Sequence, residues 1–212
     1  MPRFSRKKWS KKYVKNSHNC YSYMLDKINK RYVNICKNHM KKTKETDCDF
    51  LKAQPGLVAG MDDIVNSKYY TCKNMDRRLR LDNNNIRKTK KKCKKNEYKG
   101  ALFVHPKKTY HFYRQDNNKV WSHKDGLTLP TNRDSKRKKI KNVRKSNRNY
   151  KPTKKESGVY YSKFCDYYCI PKSKKKKFFS AYKRKKKTKK KTNKKTNKKT
   201  KKKTKKKTKK KT

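Results

Sequence analysis

Apolar residues recur along this chain at two periods, and the change from one to the other divides it. Within SHNCYSYMLDKINKRYVNICKNHM, residues Tyr21, Met24, Leu25, Ile28, Tyr32 and Ile35 fall three and four apart, the spacing of one helix face. Ser17 and Asn19 both suit an N-cap, so the pattern predicts a helix with Cys20 in its first turn. Residues 41–56 are polar and end in AQPG, a turn signal, and 57–88 is mixed, with short helical turns. Beyond a lysine-rich loop at 87–96 the period becomes two. ALFVH (101–105), TYHFYR (109–114) and KVWSH (119–123) read as three strands of an antiparallel meander, joined by Pro106-Lys107-Lys108 and by QDNN. The aromatic stretch 158–171 is expected to pack against them, with 134–157 a loose basic connection. The fold class predicted is a small α+β domain, helix early and antiparallel sheet late.

Charge then sets the boundaries. Lysine and arginine number 72 against 14 acids, a formal net charge of +58, and every acid lies at or before Asp166. Residues 172–212 hold 26 basic side chains and no acid, and from Lys185 run as seven KKKT or NKKT tetrapeptides. Like charges at i,i+4 and the lack of an apolar stripe argue against a helix there. A segment of this kind gains by displacing counterions from a polyanion. The expected organisation is a basic N-terminal arm at 1–15, a domain over 16–171 and a disordered polycationic tail at 172–212 that binds nucleic acid or another polyanion. No run approaches the roughly 18 apolar residues of a membrane span, and MPRFSRKKWSKK has no apolar h-region. With seven cysteines, an odd number lacking any CxxC pair, reduced thiols in an intracellular compartment are expected.

Three residues form a candidate active site. Cys20, at a helix start, is placed where the positive end of the helix favours a thiolate. His111 lies mid-strand. A three-residue loop of Asp116, Asn117 and Asn118 sets it opposite His123, whereas a two-residue loop sets it opposite Lys124. In the first register Cys20 is the nucleophile, His111 the base and His123 the group that orients it. Against this stand plainer roles: a buried cysteine acting as a small hydrophobe and histidines satisfied within a sheet. His18 and His39 read as surface residues and His105 as part of a turn. Cys72, Cys93, Cys165 and Cys169 offer sulfur ligands, but the x3 spacing and scattered partners do not match a zinc site. No metal or cofactor is expected.

The order Asn19-Cys20-Tyr21-Ser22-Tyr23, Gln54-Pro55-Gly56, ALFVHP, YHFYRQD, WSHKDG, TNRD and FCDYYC resembles a poorly characterised family of bacteria and large DNA viruses. It also resembles the papain-like NlpC/P60 superfamily. The resemblance covers about residues 17–171 in pieces and departs from NlpC/P60 where a bulky Tyr21 follows the cysteine. It implies a cysteine peptidase or amidase acting through Cys20, His111 and His123, and a viral protein of the virion, host nucleus or virus factory. The alternative expectation is a non-enzymatic, basic DNA-binding or virion structural protein. Lysine-rich loops interleaved with 15 tyrosines and 7 phenylalanines suit phosphate contact and base stacking.

Overall fold

The computed structural model describes residues 1–150 and 158–172; the KKKT repeats lie outside them. The chain is α+β, as expected. Helices α1 (Arg6–Ser10), α2 (Lys12–Ser17), α3 (Cys20–Met24), α4 (Lys30–Lys42) and α5 (Cys72–Asp82) precede the sheet. Strands β1 (Arg87–Lys88), β2 (Glu97–His105), β3 (Thr109–Gln115), β4 (Trp121–Ser122) and β7 (Lys163–Pro171) form an antiparallel sheet of order β1-β7-β2-β3-β4. A separate pair joins β5 (Asn149–Tyr150) to β6 (Val159–Tyr160). The segment expected to pack on the meander therefore enters it, as a central strand beside β2.

Alternation along the strands assigns the two sheet faces. One face presents Leu102, Val104, Tyr110, Phe112 and Tyr168 to the helices, with the Tyr21 ring of α3 tilted against Phe112, centroids 5.5 Å apart. The other buries Ala101, Phe103, Tyr113, Trp121 and Tyr161 beneath Ile140 and Val143. Described residues 134–150, expected as loose connection, are thus the cover of the second face. Each large side chain fully buried there contributes about 1.5–3 kcal/mol.

The N-terminal residues also depart from the expectation. Residues 1–15 supply α1 and most of α2, and Trp9 is fully buried against Tyr23 with ring centroids 5.0 Å apart. The expected early helix is broken in two, since Leu25 ends α3 and Asp26 takes a φ of 50°. Asn29 then caps α4, accepting from the N–H groups of Arg31 and Tyr32.

Six of the seven cysteines are paired, as Cys36–Cys48, Cys72–Cys165 and Cys93–Cys169, leaving Cys20 free. This corrects the expectation of reduced thiols, and three disulfides do not fit a reducing compartment. Elimination by sequence could not reach the pairing, because the partners are 12, 93 and 76 residues apart. Among the described residues no helix is long and apolar enough to cross a membrane.

Candidate active site at the open edge of the third strand

Asn19 starts α3 where the sequence places it. Its Oδ1 accepts from the N–H groups of Tyr21 and Ser22 at 3.1 and 3.2 Å, and its Nδ2 donates to the Ala53 carbonyl at 2.9 Å. Cys20 therefore occupies the first helical position, 6% exposed. Burial pushes its thiol up to about 12, partly offset by a hydrogen bond from the Phe112 backbone. A helix of only five residues adds little dipole to counter that burial.

The histidines meet by a register that was not anticipated. Arg114 pairs with Ser122 and Gln115 with Trp121, and the Asp116 N–H donates to Val120 O at 2.9 Å. The loop is thus Asn117, Asn118 and Lys119, with Lys119 in the left-handed region at φ 64°. Carried two residues on, this register sets His123 opposite Tyr113 and diagonal to His111. A shift of two keeps every side chain on its face, and diagonal neighbours remain within reach of rings. His111 Nε2 lies 2.9 Å from His123 Nδ1. Lys124, one residue on, points to the opposite face.

Hydrogen-bond chemistry fixes the protons along this line. The Arg133 carbonyl, 3.2 Å from His123 Nε2, can only accept, and the Tyr150 hydroxyl, 3.4 Å from the same nitrogen, can accept or donate, so the assignment that satisfies both places the hydrogen on Nε2. In the neutral ring His123 Nδ1 is then an acceptor, and His111 Nε2 must donate to it. His111 Nδ1 is left with its lone pair, buried and without a hydrogen-bond partner. Burial lowers both histidines well below the usual imidazole range; Lys124 adds to this for His111, and His111 does so for His123.

The structure therefore brings His111 and His123 into contact and sets Cys20 against the backbone beside His111, with no thiol–imidazole hydrogen bond. The three share one surrounding shell. The His111 ring stacks on Tyr161 at 4.7 Å, and its Nδ1 lies 3.7 Å from Asp125 Oδ1. Tyr161, Lys124 and Asp125 all interact electrostatically with Cys20. The resting arrangement is a neutral thiol and a neutral, oriented base that share Lys124 and Asp125 as neighbours. The side-chain amides of Asn16 and Asn19, which could otherwise serve an oxyanion, are committed to the Thr46 and Ala53 carbonyls at 2.9 Å. The first-turn N–H of Cys20 is the donor that helix geometry leaves over.

Sequence reasoning gives Asp125 no role at the site and takes Lys124 only as an alternative partner across the hairpin. Lys124 is fully buried, donating to Lys15 O at 2.9 Å, to His18 O at 2.5 Å and to Gly126 O. It thereby closes the C-terminal end of α2 immediately before Cys20, and burial lowers it to about 7. The signal available was its place directly after His123, which alternation sends to the helix-facing side. His18, expected at the surface, is 1% exposed and accepts from the Asn29 N–H at 2.8 Å through Nε2. His105 accepts from the Tyr160 N–H, and His39 meets Glu45 and the ring of Phe50. Cys93, Glu97 and Cys169 cluster within 4.8 Å, but both sulfurs there belong to one disulfide.

No protein-family model matches the chain, and no solved structure matches it. Over 34 residues it is 59% identical to "Insoluble matrix shell protein 1" of Ruditapes philippinarum, covering 16% of this chain and 23% of that protein. The chain thus spans under a quarter of the length of this curated relative.

Proposed function

We propose that the domain is a papain-like cysteine hydrolase, a peptidase or amidase, with Cys20 as nucleophile, His111 as base and His123 as its orienting partner. One observation supports the reading: the line from Arg133 O through His123 to His111 leaves an unpaired, buried Nδ1 facing Asp125, the same carboxylate that interacts with the free Cys20 thiol. In the reaction, the Cys20 proton passes to His111 Nδ1 and the thiolate attacks the amide carbon. The oxyanion is met by the Cys20 N–H. His111 returns the proton to the departing amine as the C–N bond breaks, and water then releases the acyl group. The three disulfides support an oxidising setting, such as a virion, in place of the reducing compartment first expected.

Labelling with an electrophilic cysteine probe tests this. Cys20 of the folded protein should react faster than cysteine in an unfolded chain, and His111→Ala should remove the advantage. Labelling at the unfolded rate, or unchanged in His111→Ala, counts against an activated thiol.

A second reading, a non-enzymatic basic nucleic-acid-binding or virion structural protein, is favoured by the depth at which Cys20 lies. The short match to a protein named for an insoluble shell matrix accords with a structural role. In either reading residues 172–212 are the proposed polyanion contact. Their removal should abolish salt-sensitive DNA binding, and unchanged binding would assign it to the domain instead.

A further inference from the structure

Asp125 differs in its surroundings from three acids that the fold holds firmly. Asp26 is bound to Lys8 and Arg114, Asp76 to Arg80, and Asp82 to Tyr21 and two backbone N–H groups. Asp125, which also interacts with the Tyr161 hydroxyl, faces the one unsatisfied nitrogen of the histidine pair, 3.7 Å from His111 Nδ1, with its side chain 41% exposed and that of His111 1%. It rides on a short turn in which Gly126 takes a φ of 22° and Thr128 N–H donates to Asp125 O at 2.7 Å. Lys124 ties that turn to α2 through Gly126 O.

We propose that Asp125 is the counter-ion of the His111 imidazolium, a positioning residue that acts through the base; this rests on the hydrolase reading above. When the S–H bond of Cys20 breaks and its proton binds His111 Nδ1, the sulfur keeps the electron pair and the ring becomes cationic. In a buried site a lone cation is strongly disfavoured. A carboxylate at this distance needs only a small movement to accept from the new N–H. The same charge acts in the opposite direction on an isolated thiolate, since Asp125 also faces Cys20. Asp125 therefore favours the thiolate–imidazolium pair over a thiolate beside a neutral ring. The other titratable groups facing the pair are His123 and Lys124 after β4, Tyr110 and Tyr113 on β3, Tyr150 on β5 and Tyr161 before β7.

The opposed effects give a signature that loosened packing does not share. Iodoacetamide alkylates thiols by displacing iodide and leaves disulfides intact, so in the full chain it reports on Cys20. The rate is measured from about pH 6 to about pH 10 for wild type, Asp125→Asn and Asp125→Glu. Near neutrality the Asn variant should react about tenfold more slowly, the equivalent of one unit of imidazolium pKa. Near the alkaline end it should match or exceed wild type, and the Glu variant should recover most of the neutral rate. Lys124, at about 7, titrates in all three proteins, so the ratio of rates is what is read. Parallel profiles, or a variant faster at every pH, overturn the inference and leave the hydrolase reading standing. A wild-type Cys20 no more reactive than an unfolded cysteine overturns both.

Discussion

The two ends of the sheet are held by different chemistry. At the β7 end, Cys72–Cys165 fastens α5 to β7, and Cys93–Cys169 fastens the loop before β2 to the same strand. At the β3–β4 end no disulfide reaches the strands, since Cys36–Cys48 only fastens α4 to the segment that follows it, and buried charged side chains do the equivalent work. Arg114, fully buried, binds Asp116 at 3.1 Å, Asp26 at 2.9 Å and the Tyr23 carbonyl at 3.0 Å, and lies 4.0 Å over the Tyr23 ring. Lys124 and His18 complete the tie between the sheet edge and α2–α4. Covalent links hold whatever the pH, whereas hydrogen-bonded charges keep their geometry only in one protonation state. The end that carries the candidate site is the one whose ties can titrate.

Removing a covalent link should give the largest effect. Cys72–Cys165 closes a loop of 93 residues, for which chain entropy predicts a loss of about 4–5 kcal/mol. Urea unfolding of Cys72→Ser/Cys165→Ser should show a loss of that order, and a change below about 1 kcal/mol would mean that packing alone holds β7 to α5.

Acid should separate the two ends. His18 is lowered to about 4, chiefly by burial, against an ordinary value near 6.5. Its folded value lies below its unfolded one, so the unfolded chain takes up the proton first. The contribution is whole above about pH 6.5 and drains between there and about pH 4, on the order of 3 kcal/mol. Protonating Nε2 also breaks the bond from the Asn29 N–H. Hydrogen exchange should quicken in α2–α4 on acidification while β7 stays protected. Equal loss at both ends would erase the contrast, and His18→Asn should flatten the pH slope.

What the sequence made legible follows the range of the interactions involved. The Asn19 cap, the turn at residues 106–108 and the strands around His111 are decided by neighbours in the chain, and all appear in the structure. The β3–β4 loop was misplaced because its left-handed position falls on Lys119, where side-chain type gives no warning. The strand period of two nevertheless kept His111 and His123 on one face. Trp9 looked like part of a basic arm because the lysines around it carry no helical stripe. His18 reads as a surface residue, and nothing in their side-chain type marks Arg114 or Lys124 as buried, because their burial depends on carbonyls and carboxylates contributed by distant elements. The disulfide pairing was hidden for the same reason.

Asn19 tests how finely the hydrogen-bonded end can be divided, and its expected effect is the smallest. Its Oδ1 caps α3 through Tyr21 and Ser22, while its Nδ2 straps that helix start to Ala53, just before the Gln54-Pro55-Gly56 turn. Asn19→Ala removes both and should cost about 1–2 kcal/mol. Asn19→Ser restores an oxygen of the right reach for the cap but has no donor long enough for Ala53. If the two functions are separate, urea unfolding should place the serine variant between alanine and wild type. A serine variant as stable as wild type would reduce the strap to a bystander, leaving Arg114 and Lys124 as the ties that matter at this end. One no better than alanine would make the strap the part that holds Cys20 in place.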